Sequence, residues 1–171
     1  RKGRAMTGRI AFVRFLTPTL LIVAALGLVR AVDALDRFSK SHALLINRSP
    51  SLPHWAIWLD KHAPLQKGDI MVFTPPPSPL LTDHFGSTPL LFGKYVLGVA
   101  GDDVTHEGQM VLIEGKPVAA RKSHSKQGAV LAAGPEGKIP ASCYYVGSPH
   151  KDGLDSRYAA IGFVCRHQIL G

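Results

Sequence analysis

Cysteine is nearly absent: 171 residues carry only Cys143 and Cys165. That scarcity excludes a disulfide-built scaffold and a four-thiolate zinc site, so the domain must rest on a hydrophobic core, which a chain of this length can bury. Acidic residues are scarce too, 12 against 20 Lys and Arg, for a formal net charge of +8. No carboxylate pair is placed for glycoside hydrolysis, and no phosphate-cradling glycine loop is present. The basic residues follow no helix-turn-helix or zinc pattern, so no nucleic-acid partner is expected despite the charge. His42, His54, His62, His84, His106, His124, His150 and His167 are scattered without metal-ligand spacing, and neither a metal nor another cofactor is expected.

Glycine and proline, by contrast, are plentiful, at 17 and 13 residues. They suit a turn-rich β domain better than a helical one. Strand candidates are Ala43–Ile46, Ile70–Phe73, Leu90–Ala100, Met110–Ile113, Pro117–Ala120, Cys143–Gly147 and Ile161–Leu170, and Trp55–Leu59 is a further apolar run. The proline cluster at Thr74–Pro79 predicts an irregular loop, and Arg121–Gln127 a polar exposed one. The two cysteines fall in the last two strand-like segments, either as a disulfide in an oxidising compartment or as two buried thiols.

Charge is also missing from Phe15 to Val29, 15 residues in a row. The wider stretch Ile10–Val32 is interrupted only by Arg14 and Arg30, whose long stems can reach the headgroups at either end. About 20 residues of helix cross a bilayer. Arg1, Lys2, Arg4, Arg9 and Arg14 precede the run with no acidic residue among them, which predicts a cytoplasmic N-terminus. The predicted organisation is a basic cytoplasmic segment at 1–14, a transmembrane anchor at 15–32, a helical stem at 33–42 and an exported domain at 43–171. The alternatives are a cleaved signal peptide, though no small-x-small cleavage site follows the run, and a buried core helix.

From Phe85 to Gly101, Lys94 is the only charged residue among 17. On a strand it shares a face with Phe92 and Val96. An amine among apolar neighbours loses hydration, its pKa falls, and it becomes a candidate general base. Ser49-Pro50-Ser51-Leu52-Pro53 is a stiff turn that would present a serine, a weak nucleophile until a base takes its proton. His54 is a poor base for Ser51, lying three residues away on a Pro-flanked turn.

These segments together resemble the signal peptidase family, and within it the TraF-type branch of conjugative-transfer peptidases. Ser51-Leu52-Pro53 resembles that branch's Ser-x-Pro nucleophile motif. Gly93-Lys94-Tyr95-Val96-Leu97-Gly98-Val99-Ala100-Gly101-Asp102 resembles the strand that a lysine base opens and Gly-Asp closes. Gly68-Asp69-Ile70-Met71-Val72-Phe73 resembles the intervening strand, and Asp155-Ser156-Arg157-Tyr158 the family's box of the same residues. Ile161–Val164 and Ile169–Gly171 resemble the closing strand. The likeness runs from about residue 10 to residue 171. It departs at Gly153, where many members carry a serine that bonds the lysine, and at Trp55, near which the branch tends to have glycine.

The resemblance implies an all-β, signal-peptidase-like antiparallel domain behind one N-terminal transmembrane helix. It implies a Ser51/Lys94 dyad, an oxyanion site from backbone N–H near Ser51 with the Ser49 hydroxyl, and an Asp155–Arg157 ion pair in which Asp155 bears on activity. The expected protein is a single-pass enzyme of the bacterial inner membrane with a periplasmic catalytic domain. It would mature an exported precursor such as a pilin, with cyclisation as one outcome, beside the bilayer and secretion or conjugation machinery. The alternatives are a general type I signal peptidase, disfavoured by Leu52 where methionine is usual, and a catalytically inactive membrane-tethered scaffold.

Overall fold

The computed structural model describes residues 6–86 and 90–171, with the backbone alone for 6–17 and 19. The chain divides into two units, 1–42 and 43–171. The first contains one helix, α1, Met6–Ser41. Its C-terminal end carries an Asp36–Lys40 pair at 2.7 Å and Ser39 and Ser41 hydroxyls that donate to carbonyls of the preceding turn. The predicted stem thus continues the helix of the predicted anchor. Among the described residues no helix is long and apolar enough to cross a membrane. The side chains of the basic segment 1–14, and the first of the expected anchor, lie outside those described.

The second unit is built from short antiparallel strands. β1 (His42–Ile46) pairs with β2 (Ala56–Asp60). One four-stranded sheet contains β3 (Ile70–Phe73), β4 (Phe92–Gly98), β9 (Cys143–Gly147) and β10 (Val164–Cys165), in the order β10-β9-β4-β3. The other contains β5 (Asp103–Glu107), β6 (Met110–Ile113), β7 (Lys116–Ala120) and β8 (Gly137–Lys138), in the order β7-β6-β5-β8. Met71, Phe73, Val96, Val146 and Val164 form one apolar cluster, and Val104, Val111, Ile113, Ile139 and Tyr145 a second. β4 and β9 contribute to both, so the strand bearing Lys94 is central to the domain.

Several segments differ from expectation, among them β5, which is not expected from the sequence, and Arg121–Gln127, which belongs to a hairpin bridged at His124 and Val130. The proline-rich stretch leads into a helix, α2 (Pro79–Phe85), because Ser78 caps it by accepting from the Leu81 N–H and Pro79 fits the first turn. The expected closing strand at Ile161–Leu170 shrinks to Val164–Cys165. A turn closed by the Gly162 N–H on the Tyr158 carbonyl precedes it, and a 3₁₀ turn, Arg166–Gln168, follows. Beyond that turn Ile169 bridges to Phe73.

Cys143 and Cys165 face each other in register on β9 and β10 and are joined by a disulfide. The bond closes a loop of 22 residues in sequence separation, a constraint worth about 3 kcal/mol in the chain-entropy account. That loop carries the Asp-Ser-Arg-Tyr box.

Candidate active site

The turn between β1 and β2 is organised by Asn47. Its Oδ1 accepts from the Ser49 N–H at 3.0 Å, the side-chain turn that asparagine favours. Its Nδ2 donates to the carbonyls of Leu52 at 3.1 Å and His54 at 2.7 Å, and its own N–H reaches the Trp55 carbonyl at 2.9 Å. One side chain therefore fixes the start, middle and end of the serine turn. The sequence reading missed Asn47; the available signal was an asparagine opening a Ser/Pro run.

Leu52 anchors this turn to the sheet. It is buried, and a Cβ added to Gly93 on β4 would stand 3.1 Å from its Cδ1 and 3.2 Å from Ile57 Cδ1. The serine turn thus lies directly on the strand that carries Lys94. The contact delivers Ser51 Oγ to 3.1 Å from Lys94 Nζ, across 43 residues of sequence.

Lys94 is 3% exposed. It pairs with the fully buried Met71 across β3, and its Nζ lies 5.8 Å from the centroid of the Phe92 ring. Burial lowers its pKa from 10.5 to about 8; the Asp155 charge opposes that shift and the Arg157 charge adds to it. As an ammonium Lys94 donates to Ser51 Oγ; as an amine it can accept the Ser51 proton over the same distance.

Asp155 and Arg157 form a buried pair. Arg157 Nε and Nη2 meet the two carboxylate oxygens at 2.7 and 2.8 Å, the forked geometry that guanidinium and carboxylate share. Ser148 adds its N–H at 3.1 Å and its hydroxyl at 3.3 Å to Asp155 Oδ2. Arg157 also donates to the carbonyls of Ala120 and Gly153, both at 3.0 Å. Asp155 is thus saturated by its own neighbours, and its charge acts on Lys94 through space. Gly153 is dictated by this packing. A Cβ there would lie 2.1 Å from Ser148 Oγ and 2.7 Å from Arg157 Nη2, so no serine side chain fits.

The Ser51 N–H donates to Ser49 Oγ at 3.4 Å, and the Ser49 hydroxyl donates to Asn47 Oδ1 at 3.4 Å, so both groups lie next to the Ser51 hydroxyl with their protons engaged inside the turn. His54 turns elsewhere, its Nε2 3.3 Å from the Tyr95 hydroxyl. Among the described residues no group of three or more His, Cys, Asp or Glu could hold a metal ion. Ser51 and Lys94 line an open groove of about 800 Å³, with apolar walls from Leu80, Phe85, Leu90 and Phe92. A hydroxyl beside a desolvated amine, with N–H and O–H donors adjacent, has the parts needed for acyl transfer.

A family model described as signal peptidase, peptidase S26, matches residues 12–171. Among solved structures the chain is similar to a signal peptidase I from Enterococcus faecalis V583, with 19% identity, 63% of this chain and 97% of that one covered, and a TM-score of 0.36. No curated protein matches the chain.

The buried amine makes a stability prediction. Lys94 has a lower pKa in the fold than its ordinary 10.5, so folding releases its proton and the domain gains stability as pH rises from about 8 to about 10.5. Below that window the full desolvation cost remains. Lys94→Met should therefore stabilise the domain at pH 7 by roughly 3 kcal/mol, an advantage that shrinks toward pH 10.5. Thermal unfolding of both proteins across that range checks it; a variant less stable than wild type at pH 7 would show that the ammonium is well accommodated.

Proposed function

The chain belongs to the signal peptidase family, peptidase S26, and is a serine endopeptidase of that type; from this premise we propose that Ser51 is its nucleophile and Lys94 its general base. The observation that carries the proposal is the 3.1 Å contact between Ser51 Oγ and the buried Lys94 Nζ. In this reading the neutral amine takes the Ser51 proton as Oγ attacks the scissile carbonyl. The oxyanion is met by the Ser51 N–H and the Ser49 hydroxyl, which exchange their long contacts to Ser49 Oγ and Asn47 Oδ1 for the oxyanion; donors of this kind are worth roughly 3–4 kcal/mol each. The Lys94 ammonium then returns the proton to the departing amine, leaving an ester on Ser51. Water resolves that ester to a linear product, with Lys94 again as base. The substrate's own amine would resolve it to a ring. Asp155 and Arg157 act as positioning residues that hold the 148–157 loop and set the field at Lys94.

Signal peptidases act on exported precursor proteins, and the finer reading is maturation of a pilin-like precursor in conjugative transfer. Ser51-Leu52-Pro53 and the Asp155–Tyr158 box support it through their resemblance to the TraF-type branch. The run of uncharged residues from Phe15 to Val29 behind five basic residues supports reading 15–32 as an inner-membrane anchor with the 1–14 segment cytoplasmic, the stem at 33–42 and the catalytic domain, 43–171, periplasmic. Leu20, Leu21, Ile22 and Val23 are successive exposed residues, and at 100° per residue they make this turn of α1 apolar all round.

Ser51→Ala and Lys94→Ala should each abolish cleavage of a precursor while leaving the domain folded by circular dichroism. In the wild type, kcat/KM should rise with pH through about 8 as a single proton leaves Lys94, then level off. Full activity in Ser51→Ala, or a profile with no rising limb there, would contradict the dyad. With a pilin precursor as substrate, intact mass also tests the finer reading: a cyclic product is lighter than the trimmed linear one by one water.

The surface beside the nucleophile generates a membrane prediction. Trp55 is 78% and Trp58 61% exposed, and Leu44 and Ile46 on β1 are exposed too. These rings are not core, and indole favours the headgroup region. Trp55→Ala and Trp58→Ala should slow processing of a bilayer-embedded precursor at least several-fold more than cleavage of a short soluble peptide. Equal losses on the two substrates would remove any membrane role from the rings.

A further inference from the structure

The groove around Ser51 has a second, charged wall. Lys122, Lys126 and Asp152 line it together with Ser51 and Lys94. Lys122 and Lys126 belong to a hairpin rather than a loose loop. His124 bridges Val130, the Ser125 N–H reaches the Ala129 carbonyl at 2.8 Å, and the Leu131 N–H reaches Ser123 at 2.8 Å. Lys126 sits at the tip.

The hairpin is fixed to the Asp-Ser-Arg-Tyr box. The Lys122 N–H donates to the Tyr158 hydroxyl at 3.1 Å. The Ala159 N–H reaches the Ala132 carbonyl at 3.0 Å, and the Gly134 N–H reaches the Arg157 carbonyl at 2.8 Å. A Cβ on Gly134 would stand 2.0 Å from the Ser156 carbonyl oxygen, so the two segments touch backbone to backbone. The box that steadies Lys94 therefore also places the charged wall.

The charges on that wall do not balance. Asp152 takes Lys122 on one carboxylate oxygen and Lys126, at 2.9 Å, on the other. One carboxylate between two ammonium groups leaves a surplus positive charge. Access is unequal as well: the Asp152 side chain is 13% exposed, against 43% for Lys122 and 75% for Lys126. An incoming polypeptide meets ammonium groups, not the carboxylate. Arg48, three residues before the nucleophile, lines the same groove and adds charge of the same sign. The lysine hydrogen bonds hold the Asp152 carboxyl well below its ordinary range, so the spacer stays ionised at any working pH.

We propose that Lys122 and Lys126, spaced by Asp152, form a subsite that receives an Asp or Glu side chain of the substrate polypeptide lying in the Ser51 groove. The subsite rests on the proteolytic reading and adds a specificity that the dyad does not supply. Recognition of this kind is electrostatic and partly exposed, so it acts chiefly on KM and weakens with salt.

The test uses the full chain and a peptide series spanning the scissile bond, with a single Glu moved along it and each position matched by its Gln counterpart. At one position Glu should lower KM about fivefold relative to Gln, the size of an exposed to half-exposed ion pair, and the ratio should fall toward one as salt is raised. Lys126→Met should cut the Glu/Gln ratio of kcat/KM at that position, and Lys126→Glu should bring it to one or below. Lys126 is at an exposed tip, and an unchanged melting temperature certifies that these variants fold. Equal cleavage of Glu and Gln peptides at every position, or a preference that survives in Lys126→Glu, overturns the subsite while leaving the protease intact. A wild-type enzyme that cleaves no member of the series overturns the proteolytic reading and the subsite with it.

Discussion

The structure depends on keeping one amine dry beside one hydroxyl. A lysine side chain buried on β4 costs free energy because its charged form gives up hydration, and the surrounding domain is arranged to hold it there. Met71 covers it from β3, and Phe92 lies beside it on its own strand. The serine turn approaches from β1 and β2, held down by Leu52 against Gly93. Desolvation draws the lysine pKa toward neutrality, and in the proposed mechanism the 3.1 Å approach to Ser51 gives the resulting amine a proton to accept. Neither effect alone makes a catalyst. An exposed lysine would stay charged, and a buried one without the serine turn would only destabilise the fold.

A second constraint holds this arrangement in register. Asp155 and Arg157 are both buried and would be costly singly, but paired and hydrogen-bonded they form a rigid post. Arg157 reaches the Ala120 and Gly153 carbonyls, Ser148 reaches Asp155, and the hairpin at 121–131 is tied to the same box. The Cys143–Cys165 disulfide closes the ends of this loop. Charge also explains the balance at Lys94: Asp155 favours the ammonium and Arg157 opposes it, so the pair stays close to neutral as the lysine experiences it and burial decides the outcome.

Much of this was legible in the sequence. The lone lysine of an apolar stretch and the proline-flanked serine stood out from their segments, but they were joined, and the Asp-Ser-Arg-Tyr box was added, only through the family resemblance; the fold places the two side chains 3.1 Å apart. β3, β6 and β9 followed from their apolar runs. What could not be read was whatever depends on contacts between distant segments. Asn47 looks like any turn asparagine until its five hydrogen bonds are counted. Gly153 read as a missing serine, whereas in the fold Ser148 and Arg157 occupy the space a side chain would need. β5, Asp103–Glu107, was hidden because it is mostly polar and only Val104 enters the core. The closing strand was read too long because its apolar residues serve a turn and a bridge to Phe73 as well as a ladder.

The central claim is that the hydroxyl of Ser51 becomes covalently acylated with Lys94 as its base. The most direct measurement is rapid acid quenching of the enzyme during turnover of a precursor, followed by intact mass and peptide mapping. The account predicts a species heavier than the enzyme by the acyl portion of the substrate, localised to the peptide containing Ser51 and absent from Lys94→Met under the same conditions. An adduct on any other residue, or turnover without an adduct even when the quench outpaces deacylation, would contradict it.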